Sequence, residues 1–325
     1  MSEEKLFFGA VKSNSAFAEA VDGDSRPYNE KMAKFRAALE PHYDHSGFKE
    51  DYFNHLNLRL IQEILQEEFT SGVYSADRKD IELPVFIPEN VLFLTEQGFD
   101  SLDLPNTNAV NFRGINLTCI NVDRTRRLIE SNDELSPSAV FARLLFHELA
   151  HSTAAGSIEK TEAKSVLVSG TKQIDRESGN IKFNFLEEAI INARARLLAA
   201  NYISRTDTLG EENPDVISLR DFYIAGGSDP EDMMGPLLIK YIAKRIAKEK
   251  DVPEDVVIKS FFHASLNGLN LANSTIVRDI DEIFGAGFAK ALESFDGGDA
   301  LNFFFSQGAF DDERFMALMH KHYDF

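Results

Sequence analysis

The chain has 325 residues, 43% of them apolar and 27% charged, with 27 Phe. That is enough to build one large domain or two ordinary ones, and it excludes a disordered or collagen-like polymer. Acidic residues outnumber basic ones 53 to 34, a formal charge of −19. This is the wrong sign for clamping a duplex, so nucleic-acid binding is not expected.

Cys119 is the single cysteine, so no internal disulfide forms. The N-terminal MSEEKLFFGAVKSNS carries acids where a signal peptide needs bases, and no apolar run approaches the roughly 20 residues of a membrane span. The expectation is a cytoplasmic protein without a membrane partner.

In chain order, the spacing predicts two helices within about 28–70. One follows Pro27, and the other runs Phe48–Phe69 with Leu58, Ile61, Ile64, Leu65 and Phe69 as its core stripe. IELPVFIPENVLFLT (81–95), broken by Pro84 and Pro88, reads as strand, and so does Ile115–Val122 beyond the loop FDSLDLPNTN. Ser136-Pro137 opens a strongly helical segment, with Ser to cap and Pro where no amide hydrogen is needed. Ser165–Phe185 reads as a hairpin, SVLVSG and NIKFNF joined by ESGN. A long helix follows from about Phe185 to Ser204. After the polar loop TDTLGEENPD, residues 229–248, 253–266, 275–295 and 311–322 read as helices. The predicted class is α+β, mainly helical, with a small mixed sheet. Its organisation is an N-terminal region 1–95, a core 96–210 and a helical region 211–325.

The chemistry is concentrated in His147-Glu148-Leu149-Ala150-His151. Residues four apart share a helical face, so both imidazoles can reach one ion, while Glu148 projects about 100° away. That separation suits hydrolysis: zinc lowers the pKa of its water towards about 7, and a nearby carboxylate takes the proton. A catalytic zinc needs a third protein ligand. Position 157, where a metzincin would place His, is Ser, and Gly170-Thr171 is followed by Lys172-Gln173-Ile174-Asp175, which breaks the aspzincin spacing. The next long helix opens with Glu187-Glu188, 36 and 37 residues after His151, and an antiparallel packing would bring one of them to the ion.

His147-Glu148-x-x-His151 followed by Glu187-Glu188-Ala189-Ile190-Ile191-Asn192 resembles the gluzincin branch of zincin metallopeptidases. In thermolysin-like members the third ligand is the Glu of Asn-Glu-Ala or Asn-Glu-Gly. The resemblance therefore implies Glu188 as ligand, with Glu187 where the family has Asn and Asn192 where it often has Asp, both beside the ligands. HELAHST (147–153) is also similar to the metallopeptidase domain of antirestriction ArdC-type and phage polyvalent proteins, although Ala154-Ala155 replaces their usual Gly-His. The resemblance covers about 112–204. It implies a zincin-like core, Zn2+, a peptide or protein substrate, and an edge strand, Ile115–Val122, that pairs with an extended peptide. The 1–95 and 211–325 regions would then wall the cleft. For the oxyanion donor the candidates are Tyr202, Tyr223, Tyr241 and His263. Arg194 and Arg196 are placed to brace carboxylates or to face solvent.

Elsewhere, His42-Tyr43-Asp44-His45 and His320-Lys321-His322 have weak metal-binding spacing. Phe303-Phe304-Phe305 reads as core, and Glu67-Glu68 as a solvated face. The expected function is a zinc-dependent peptidase with Glu148 as general base. The alternatives are a non-catalytic zinc-binding regulatory module, or an acidic nucleic-acid mimic that engages a protein partner through its charge.

Overall fold

The computed structural model describes residues 4–8, 28–70, 86–112, 116–154, 156–160, 165–175, 178, 180–220, 230–267 and 275–294. Tyr223, Phe303–Phe305, the 311–322 helix, His320 and His322 lie outside them. The architecture is α+β and mainly helical, as predicted. The described elements gather into two compact units, each discontinuous in sequence: 8–153 with 194–228, and 1–7 with 154–193 and 229–325.

The first unit contains helices α1 (Tyr28–Leu39), α2 (Phe48–Asp51), α3 (Leu58–Thr70), α4 (Glu96–Ser101), α5 (Val122–Glu130) and α6 (Pro137–Thr153). It also contains strands β2 (Val91–Leu94), β3 (Ala109–Phe112) and β4 (Leu117–Asn121). The sheet order is β2-β4-β3, with β2 parallel to β4 and β3 antiparallel to it. This is the predicted small mixed sheet. One expectation is corrected here. The strand read at Ile115–Val122 is central, bonded on both sides and buried at all five positions of β4. It has no free edge to offer a peptide. The edges are β2, bridged at Leu94 by Tyr43, and β3, which four residues of modest β character did not announce.

Helix α6 lies against β3 and is apolar almost all round, the mark of a buried helix. Val140, Phe141, Leu145 and Phe146 are each at most 1% exposed, and a fully buried Leu or Phe contributes roughly 1.5–3 kcal/mol. Its start is the one predicted: the Ser136 hydroxyl accepts from the Ala139 amide at 3.3 Å, with Pro137 at the first helical position. Asp215 accepts from the Ser136 amide and hydroxyl, at 3.0 and 2.6 Å, which adds negative charge at the positive helix end. The α3 stripe Ile61, Ile64, Leu65 and Phe69 is buried, its first three members in the same core. The predicted 48–69 helix is interrupted because Asn57 caps a new start, its side-chain oxygen accepting from the Leu60 amide at 3.1 Å.

Strands β1 (Glu4–Phe8), β5 (Gly156–Lys160), β6 (Ser165–Ser169), β7 (Lys172–Asp175) and β8 (Ile181–Lys182) form the second unit's sheet, in the order β1-β5-β6-β7-β8. One hairpin turns at Gly170-Thr171 between β6 and β7, and ESGN lies between the antiparallel pair β7 and β8 rather than between β6 and β8. Gly170 adopts φ +62°, the left-handed value that glycine takes without strain. Asp175 ends β7, and its side chain accepts from the Ser178 amide at 3.2 Å, so it serves the following turn. Strand β8 stops after two residues because Phe183, at φ +57°, turns the chain directly into α7 (Asn184–Thr206). Beyond it come α8 (Pro214–Arg220), which belongs to the first unit, and then α9 (Pro230–Lys250), α10 (Glu254–Asn267), α11 (Thr275–Phe284) and α12 (Phe288–Ser294) in the second. The predicted 275–295 helix is split at Gly285 and Gly287, with φ +111° and +98°, left-handed positions that end helices. Helix α7 runs without a break from the second unit into the first. Among the described residues no helix is long and apolar enough to cross a membrane.

Replacing Ser136 by Ala removes the α6 cap and is expected to cost about 1 kcal/mol. The check is a lower denaturant midpoint at unchanged slope; an unshifted midpoint would mean that Pro137 and Asp215 alone hold the start.

Candidate metal centre

His147 and His151 lie on successive turns of α6, both half-buried. Their Nε2 atoms are 3.2 Å apart, with ring centroids 4.8 Å apart at 77°. Two nitrogens at about 2.05 Å from one tetrahedral zinc would be separated by about 3.3 Å. His147, His151 and Glu188 each offer a ligand atom, all within 4.8 Å of one another, and this is the metal-competent group among the described residues. Two imidazole nitrogens and one carboxylate oxygen, with a fourth position left for water, are the donor set of catalytic zinc sites. The three side chains present could together hold a metal ion.

Glu148 is 3% exposed. Its charge is felt by Cys119 of β4, whose thiol is pushed up to about 12, first by burial and then by Glu148. The motif thus has the arrangement its spacing implied, with two imidazoles on one face and a carboxylate on the adjoining one.

The two acids of α7 are separated by the helix itself. Glu188, half-buried, joins the metal-competent group. Glu187 is 1% exposed and accepts hydrogen bonds from Thr171 and Ser265. Asn192 stands four residues after Glu188 on the same face, half-buried.

Arg194 resolves an ambiguity left by the sequence: it is fully buried. Its Nε and Nη2 donate to the two carboxylate oxygens of Glu68, both at 2.9 Å. Nη1 donates to the Ala150 carbonyl at 3.2 Å, and Nη2 also donates to the Thr153 hydroxyl at 2.7 Å. One guanidinium on α7 therefore holds α3 and the last turn of α6, beside His151. Arg196 is buried too, at 3% exposed. Glu68 corrects the reading of Glu67-Glu68 as a solvated pair. Glu67 does face solvent and bonds Arg205 at 2.8 Å, but the Glu68 side chain is only 11% exposed. A signal existed: Glu68 stands four residues after Ile64 and three after Leu65, in line with the buried stripe.

The candidate oxyanion donors fare differently. Tyr202 lies 14 residues beyond Glu188, about 21 Å along the helix axis. Its hydroxyl accepts from the Asn57 amide at 2.9 Å, and burial raises its pKa. It is a strut between α7 and the start of α3. His263 is half-buried in α10 and Tyr241 half-buried in α9, its ring centroid 5.9 Å from that of Phe284. Neither belongs to the metal-competent group. His42 and His45 do not join it either.

Arg194→Ala would strand the Glu68 carboxylate in the core, and a loss of about 3–5 kcal/mol is expected from denaturant unfolding. Replacing both partners with apolar residues, Arg194→Met with Glu68→Leu, is expected to recover much of it; a loss under about 1 kcal/mol for Arg194→Ala would deny the clamp its role. Cys119 supplies a pH test. Its folded-state pKa stands above its ordinary value of 9.0, so the unfolded chain releases the thiol proton first. The stability linked to this thiol is intact below about pH 9 and falls as pH rises towards about 12. The stability difference between wild type and Cys119→Ala should be flat up to about pH 8 and shift against wild type between about pH 9 and about pH 11.

Comparison with protein-family models, with curated proteins and with solved structures finds no match for this chain.

Proposed function

We propose that the protein is a zinc-dependent metallopeptidase of gluzincin type, with His147, His151 and Glu188 as metal ligands. The observation that carries this reading is the convergence of two imidazoles and one carboxylate from separate helices, with their ligand atoms within 4.8 Å of one another. The donor set favours zinc, which when bound supplies Lewis acidity and an acidified water. Glu148 is the general base. It takes a proton from the attacking water and passes it to the departing amine, so the carboxylate is regenerated each turnover. Its burial, at 3% exposed, keeps bulk water from competing for that proton. A substrate strand would pair with β3, whose only bonded neighbour among the described strands is β4.

The test is metal analysis of protein purified without added metal, followed by turnover of a peptide library. Wild type is expected to carry about one zinc per chain, and His147→Ala none. Glu148→Gln should keep the metal and lose turnover by about 10²–10⁴-fold. Full turnover in Glu148→Gln would remove Glu148 from the mechanism. Iron in place of zinc would redirect this set of two histidines and one carboxylate towards oxygen chemistry.

A further inference from the structure

Glu187 is packed into a closed polar nest. Its Oε2 accepts from the Thr171 amide and the Thr171 hydroxyl, both at 2.7 Å, and its Oε1 accepts from the Ser265 hydroxyl at 2.9 Å. Thr171 and Ser265 are both 0% exposed. The β6–β7 turn is shaped around this carboxylate: a Cβ added at Gly170 would lie 1.9 Å from Glu187 Oε1. One residue beyond Glu188, Ala189 is met by Gly235 of α9 so closely that a Cβ there would lie 2.7 Å from the Ala189 Cα. The first turns of α7 are thus held laterally by Gly235 and in rotation by Glu187.

A buried carboxylate is a poor source of net stability, because desolvation offsets most of what its hydrogen bonds return. Three directional bonds do supply a fixed azimuth. Side-chain ends lie about 5–6 Å from a helix axis, so a rotation of α7 by about 10° would carry the Glu188 carboxylate about 1 Å. Metal–ligand distances tolerate only about 0.2 Å. We propose that Glu187, held by Thr171 and Ser265, is the positioning residue of the metal centre, setting the rotation of α7 at which Glu188 meets the ion. The inference rests on the metal-centre reading of His147, His151 and Glu188.

The experiment is a Co2+ titration of the full-length chain against a competing chelator, with the visible absorption band reporting coordination geometry. Thr171→Val and Ser265→Ala are expected to weaken Co2+ binding about 10–100-fold and to move the band, while Thr171→Ser keeps wild-type values. A purely structural network would lower the unfolding midpoint and leave affinity and band alone. That result, in a protein that loses Co2+ on His147→Ala, overturns the positioning role and leaves the metal centre standing. A wild-type chain that takes up no Co2+ overturns both. Should Thr171→Val fail to fold, Ser265→Ala, which removes one bond of the three, decides the question in the same way.

Discussion

The placement of α6 against α7 depends on one guanidinium. Arg194 has no solvent exposure and directs four hydrogen bonds to three partners: both oxygens of Glu68, the Ala150 carbonyl and the Thr153 hydroxyl. The last carbonyls of a helix have no intrahelical donor, and α6 ends in the core rather than in water. A planar cation with a fork of donors satisfies such an end and also favours the negative pole of the helix. Glu68 then neutralises the cation, since an unpaired charge there would cost several kcal/mol. His151 lies within the same final turn, so this contact holds the end of the helix that carries the histidine pair.

Helix α6 reconciles two opposed demands. It must be apolar enough to sit at the centre of its unit, yet it carries two imidazoles and a carboxylate. The motif groups these three side chains, at positions 147, 148 and 151, in little more than one turn and surrounds them with Phe141, Leu145, Phe146, Leu149 and Ala150, all buried. Helix α7 divides its work in another way. Adjacent acids about 100° apart are assigned to different partners, Glu188 to the histidines and Glu187 to Thr171 and Ser265. The same helix is fixed by Arg194 six residues later.

The local features were legible in the order of the amino acids. Ser136-Pro137 sets the start of α6, four-residue spacing sets the histidine pair, and an i, i+3, i+4 stripe sets the buried face of α3. Each depends only on helical periodicity or on the stereochemistry of one residue, so each is written in a short window. The α+β class and the long helices follow from the same periodicity. The helix breaks at Asn57, Gly285 and Gly287 are also local, but a single capping or left-handed residue inside a strong apolar pattern is a weak signal.

Whatever depends on partners far apart in the chain was settled only by packing. Ile115–Val122 reads equally well as an edge or a central strand, and only the flanking β2 and β3 make it central. Glu187 and Glu188 are chemically identical; a turn 16 residues upstream and a hydroxyl 78 residues downstream assign their roles. Glu68 is turned inward, with its side chain 11% exposed, because Arg194, 126 residues later, pairs with it there, and Tyr202 is a strut because Asn57, 145 residues earlier, offers it an amide. Side-chain periodicity fixes the direction in which a residue points along its own element; the atom that meets it is fixed only when the elements pack.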